Sequence, residues 1–423
     1  MSNTREITGS ITIVPKRPLI TPLFYFATLL FVYSLGDGIM SYVAPVIMEK
    51  HLHSTFLMGL VFSASSAAGF LADLLFGKYF GNRSYKFFVL WGSALAVLFP
   101  LSFTFLPPLV VVFLTGMIIW GLYFELLEFG LFAYVESFHH PQEHAKVWGL
   151  VSAFKGASYM VGPALATYSL GRGENVALIT AGCLFGFGLL GYLLFWWKFG
   201  HGHRHIFRDN PENLPLITHF TAVWTVLRKI WPVWVFTLLL YMVDATFWTV
   251  GTLFSEQLGK QHPFGNMLMS VYMVPSVLAG MMTAWFAKPF GKKRAAYVGG
   301  LLQGLSMVML GFVINVPMIL LVVFLSSFFA AISFPEILAT AEDYVTRLKG
   351  MGSIMVSLQL TSASLGFVIG PTLAGYIAEK TSIAMTFVVV GLLLAMGSVV
   401  MMIVTPRKIH LPQQELETVI GSA

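Results

Sequence analysis

Twelve membrane-spanning helices, arranged as two related halves, are the fold this sequence predicts. Three observations predict it. Of 423 residues, 57% are hydrophobic and only 10% charged, with mean hydropathy +0.79, whereas a soluble chain carries about 25% charged residues. Continuous apolar runs long enough to cross ~30 Å of hydrocarbon recur along the whole chain. Landmarks of the first half return in the second at nearly one spacing.

The runs cover approximately 20–43, 55–76, 86–105, 108–137, 145–169, 176–197, 231–255, 265–287, 295–314, 317–340, 351–376 and 382–405. They are unbroken rather than alternating, which excludes the strands of a barrel. The predicted organisation is a tail over 1–19, a six-helix bundle over 20–197, a central loop over 198–230, a second bundle over 231–405 and a tail over 406–423. The opening MSNTREITGSITIVPKRP has no cleavable signal pattern, because the apolar run after it is too long for an h-region. Within the central loop, TAVWTVLRKI reads equally as a short amphipathic helix at the membrane surface or as the start of the seventh span.

Basic residues orient the chain. With the N-terminus inside, 20 of the 25 Lys and Arg fall on the cytoplasmic side. Only Lys50, Arg172, Lys260 and Lys380 fall outside, and Lys155 is left within a span. A bacterial-type inner membrane with both termini cytoplasmic is the expected location. The sequon at Asn82 then sits on a cytoplasmic loop, where glycosylation is not expected. The excess basic charge belongs to loops, so nucleic acid is not an expected partner. Cys183, alone in an apolar run, offers neither a disulfide nor a metal site.

The repeat rests on four landmarks. An offset of 208 carries Gly162-Pro163 onto Gly370-Pro371 and Glu128 onto Glu336, and an offset of 207 carries Asp37 onto Asp244. The stretch GFLADLLFGKYFGNR from Gly69 parallels GMMTAWFAKPFGKKR from Gly280. Two such halves around a midplane site are a transporter architecture.

These residues carry a resemblance to the major facilitator superfamily, over nearly all of the chain except the tails and central loop. The loop signature G-x-L-A-D-R-x-G-R-K/R is matched at Gly69, Leu71, Ala72, Asp73, Gly77 and Lys78, while Leu74 stands where arginine is usual and Phe76 breaks the spacing. Gly149, Ser158, Gly162 and Pro163 resemble the glycine–proline signature of the drug–proton antiporter branch, and Gly366, Gly370, Pro371 and Gly375 repeat it. That branch has an arginine in the fourth span; here Glu125 and Glu128 occupy the region. The resemblance implies that the first, fourth, seventh and tenth spans line a central cavity. It also implies that Asp73, with Lys78 and Arg83, closes an inner gate against the start of the eleventh span near Gly352 and Ser353. The glycine–proline pairs are expected to allow close helix approach and kinking rather than to touch substrate.

Asp37, Glu125, Glu128, Asp244 and Glu336 lie inside spans and only on those four. Each costs at least ~2.5–3.5 kcal/mol to place at the bilayer centre as an ion, so coupling to protons and binding of substrate are the expected uses. Glu125 and Glu128 share a helix face. Lys155, at matching depth, is expected to pair with Glu128 or Glu125. One lysine still leaves the cavity acidic, which favours protons or cationic groups over an anion. Tyr241, Asp244 and Trp248 form one stripe, and Tyr33 lies one turn from Asp37, so these rings are candidates to hold an amine. Pro335 frees a carbonyl beside Glu336, a candidate water or cation site. His201, His203 and His205 read as a solvated loop.

The expectation is a proton-coupled exporter of a small amphipathic, cationic or zwitterionic solute, monomeric and without cofactor or bound metal. A cation symporter or metal- or siderophore-related carrier is the first rival. A receptor or scaffold is the second; it calls for accessory domains or long tails, which are not seen. Without a P-loop or a nucleophile–base pair, neither an enzyme nor a nucleotide-driven pump is expected.

Overall fold

Inside a bilayer every backbone N–H and C=O must be satisfied within the chain, and a chain this apolar meets that demand by helices. A computed structural model describes residues 20–79, 84–136, 141–199, 216–277, 291–348, 352–406, 409 and 412–413, with no strand among them. The helices are α1 (Ile20–Leu52), α2 (Thr55–Tyr79), α3 (Tyr85–Phe105), α4 (Val110–Glu136), α5 (Pro141–Leu170) and α6 (Glu174–Phe199). Next comes α7, made of Leu216–Thr246, a π-helical turn Phe247–Gly251 and Thr252–Gly259. The described part of α8 is 268–277. Then follow α9 (Lys292–Met309), α10 (Val316–Arg347), α11 (Gly352–Lys380) and α12 (Ile383–Val404). Among the described residues, nine helices are long and apolar enough to cross a membrane. Because α7 begins at Leu216, TAVWTVLRKI is the start of the seventh helix rather than a separate surface helix.

Packing follows two groupings. Helix α1 lies against α5 and α6, α2 against α4, and α3 against α4 and α6. Helix α7 lies against α11 and α12, and α9 against α10 and α12. Between the groupings, α2 runs closely along α11. The end holding the α1–α2 turn is here the far end; the other is the termini end.

Two glycines make the far-end part of this seam possible. A Cβ on Gly59 would stand 2.1 Å from the carbonyl oxygen of Pro371, and one on Gly375 would stand 2.3 Å from that of Thr55. The helices touch backbone to backbone, the close approach that small residues give helices in lipid. Gly59→Ala or Gly375→Ala must push the seam apart. Either substitution should destabilise the state closed at the far end by about 1–3 kcal/mol. The check is a fall in Tm together with greater labelling of far-end cysteines introduced beside the seam.

Candidate functional site

Asp37 sits midway along α1 and is 2% exposed. Its carboxylate accepts hydrogen bonds from the indole Nε1 of Trp120 (3.0 Å), the phenol of Tyr123 (2.5 Å) and the phenol of Tyr159. Trp120 and Tyr123 are three apart on α4 and so share a face. Tyr159 arrives because α5 is pressed onto α1: Ser158 Oγ donates to the carbonyl of Phe31 (2.9 Å), and a Cβ on Gly162 would stand 2.9 Å from the carbonyl carbon of Gly38. Three donors satisfy most of what a buried carboxylate demands. None of the three was singled out from the sequence. The signal for Tyr159 is its place next to Ser158 inside the glycine–proline stretch; the signal for the other two is their one-turn spacing on an acid-bearing span.

Tyr159 also reaches the other grouping. Its ring meets that of Trp248 edge-on, with centroids 5.7 Å apart. Trp248 lies in the π-helical turn of α7; such turns are frequent at functional sites. One turn earlier, Asp244 accepts a hydrogen bond from Tyr272 of α8 (2.8 Å). Tyr272 is held by stacking on Phe247, with centroids 4.0 Å apart, and Ser327 donates to its carbonyl.

The ion pair between Lys155 of α5 and Glu128 of α4 is present, and the ammonium lies 5.2 Å from the ring centroid of Phe124. Glu125 turns the other way, towards α2. It is hydrogen-bonded to Asp73, and Gly69 leaves it room, since a Cβ there would stand 3.0 Å from Glu125 Oε1. Asp73 thus lies beside Glu125, and its expected contact near Gly352 and Ser353 falls outside the described side chains. The side chains of Gly77, Lys78, Gly352 and Ser353, and all of Arg83, His201, His203 and His205, lie outside the described residues.

Glu336 of α10 is 3% exposed. Among the described residues its carboxylate takes no hydrogen bond; Thr340 Oγ1 donates to its backbone carbonyl instead (2.9 Å). Of the three aromatic candidates, only Trp248 faces the opposite grouping. Tyr33 is buried against Phe185 and Tyr123, its hydroxyl without a partner among the described residues, and Tyr241 packs between Phe334 and Phe367. The expected close approach at Gly370 is also present, at 2.8 Å from its Cβ position to Met242 O, as is that of Gly366 on Tyr241 Cβ (2.5 Å). Among the described residues nothing lies within 4 Å of a Cβ built on Gly149.

The far end carries acids the sequence reading passed over. Glu256 of α7 accepts from the phenol of Tyr42 on α1 (2.8 Å). Glu379 of α11 accepts from Ser54 Oγ and from the backbone N–H of Phe56 (3.0 Å), which caps the start of α2. Both acids come from one grouping and their donors from the other, so these bonds tie the two groupings together at the far end.

Sequence comparison now adds to this geometry. The family described as Major Facilitator Superfamily matches residues 26–263 and 233–419. The chain belongs to the major facilitator superfamily. Solved transporters of similar fold include the nucleoside transporter NupG (13% identical, TM-score 0.74, covering 92% of this chain and 100% of that one). A POT family transporter in complex with 5-aminolevulinic acid is 13% identical with TM-score 0.73, covering 92% and 96%. The human organic anion transporter MFSD10 (TETRAN) is 15% identical with TM-score 0.64, covering 91% and 100%. Curated protein sequences give no match. At such identities the likeness is one of fold. As a superfamily member the chain is a multi-pass membrane protein of the secondary-transporter type.

The Glu128–Lys155 pair makes a separable prediction. Glu128→Gln and Lys155→Gln should each lower Tm, since each leaves a half-buried charge alone. The double variant should recover part of the loss, with a coupling of roughly 1 kcal/mol. A double-mutant cycle on thermal unfolding checks it; strictly additive losses would mean the pair contributes nothing.

Proposed function

We propose that this chain is a proton-coupled secondary transporter that exports a small amphipathic solute, cationic or zwitterionic, after the manner of the drug–proton antiporters. It alternates access by rocking two six-helix halves, 20–197 and 231–405, in an inner membrane with both termini in the cytoplasm. It acts as a monomer and catalyses no covalent chemistry.

One observation carries this reading: acids related by the repeat are compensated unequally. Among the described residues Asp37 has three donors, whereas its counterpart Asp244 has one. Glu128 has a lysine, whereas Glu336 has no partner among the described residues. An uncompensated buried carboxyl is held as the neutral acid at far less cost than as the anion. In the proposed cycle Asp244 and Glu336 take up and release the coupled proton. Asp37 ties α1 to α4 and α5, and Lys155 holds Glu128. Asp244, with Trp248 one turn along α7 and Tyr159 across from it, offers charge and aromatic faces to an amine. The tied far end supports a state whose access is from the termini end.

The test is transport in proteoliposomes under an imposed pH gradient. Flux should follow the gradient in the wild type and lose that dependence in Asp244→Asn or Glu336→Gln. Asp37→Asn should instead lower Tm. Wild-type coupling in both the Asp244 and Glu336 variants would remove their proposed role, and flux indifferent to the gradient in the wild type would remove coupling itself.

A further inference from the structure

A lysine lies level with the buried acid Glu336 but is turned away from it. Glu336, Thr340 and Asp343 of α10 are spaced i, i+4 and i+7, so they share one helix face. Two turns from Glu336 towards the termini end, both carboxylate oxygens of Asp343 accept from the ammonium of Lys292 on α9 (3.0 and 2.9 Å). That pair is open to water, with side-chain exposures of 43% for Lys292 and 44% for Asp343.

The register between α9 and α10 gives Lys292 a second acid to reach. The two helices are antiparallel neighbours, and Ser333 Oγ donates to the carbonyl of Ala296 (2.8 Å). Four residues back along α9 from Ala296 is Lys292; four residues on along α10 from Ser333 is Ile337. Both helices rise 1.5 Å per residue, so the backbone of Lys292 lies level with Glu336 and Ile337. Its side chain leans to the N-terminal side of its own helix, the usual direction, and so meets Asp343. Among the described residues Lys292 is the charged group within electrostatic reach of the Glu336 carboxylate. Lys293 and Arg294 of α9, Arg228, Lys229 and Asp244 of α7 and Arg347 of α10 lie beyond that reach. The charged residues of α11, Glu379 and Lys380, stand at the far end.

We propose that Lys292 is a positioning residue for the coupled proton: its ammonium rests on Asp343 while Glu336 is protonated and crosses to the Glu336 carboxylate when that proton leaves. The inference rests on the role in coupling given to Glu336 above. The proton passes to water at the termini end, Lys292 stays an ammonium throughout, and Asp343 remains solvated. The buried anion therefore never stands alone, which is the costly alternative. A turn of one side chain accomplishes the exchange, without a shift of either helix.

The experiment is infrared difference spectroscopy of the full chain in lipid, titrated with pH and reading the C=O stretch of protonated carboxyl groups. The band lost in Glu336→Gln is that of Glu336. Asp343→Asn releases Lys292 to Glu336 and should lower the midpoint of that band by about one pH unit; Lys292→Gln should raise it by a similar amount. Lys292→Arg should titrate close to the wild type, which separates charge from folding. In the Lys292→Gln background, Asp343→Asn should shift nothing further, because its effect runs through the lysine. A midpoint unmoved by either single variant, or an equal shift by Asp343→Asn with and without Lys292, would overturn the proposal and leave coupling by Glu336 standing. A Glu336 band that does not titrate at all would remove the coupling role, and the proposal with it.

Discussion

A charge inside a bilayer has no water to turn to, so the protein itself must supply whatever the charge needs. In this chain that constraint decides which helices meet. Asp37 draws α4 and α5 onto α1 through Trp120, Tyr123 and Tyr159. Glu128 and Lys155 tie α4 to α5 a few turns away. Asp244 holds α8 to α7 through Tyr272. Each of these acids fixes a helix contact, whereas the Glu336 carboxylate takes no hydrogen bond among the described residues.

Glycine sets the second layer of organisation. Since lipid offers helices no hydrophobic reason to associate, close approach and dispersion must do it. The glycine–proline pairs do the same task in each half, with Gly162 against α1 and Gly370 against α7. The same α11 then meets α2 through Gly59 and Gly375. One helix therefore packs tightly within its own grouping and tightly across to the other. Such a helix cannot move without breaking one of these contacts.

Helices and their order were legible because the signal is coarse. A twenty-residue apolar run is sufficient evidence of a span, and acids in such runs are rare enough to stand out. The Lys155–Glu128 pair was legible for the same reason, as the one cation at a matching depth. What the sequence concealed was direction around each helix. Glu125 and Glu128 share a face by spacing, yet one turns to Asp73 and the other to Lys155. Tyr33 is one turn from Asp37 but packs into α6. The donors of Asp37 were hidden because in a chain with 15% aromatic residues a Trp or Tyr carries little information until its neighbour is known. Glu256 and Glu379 escaped notice because they lie at helix ends, where an acid is ordinary.

The π-helical turn at Phe247–Gly251 decides how the two ends of α7 face. A π turn holds one residue more than the α-helical path around it, and one residue is about 100° of rotation. Asp244 lies before the turn and Glu256 after it. Glu256 follows Asp244 by twelve residues, as Glu49 follows Asp37, and beyond the π turn it meets Tyr42 of α1. With no residue added relative to α1, the change of pitch at this turn separates the direction of Glu256 from that of Asp244.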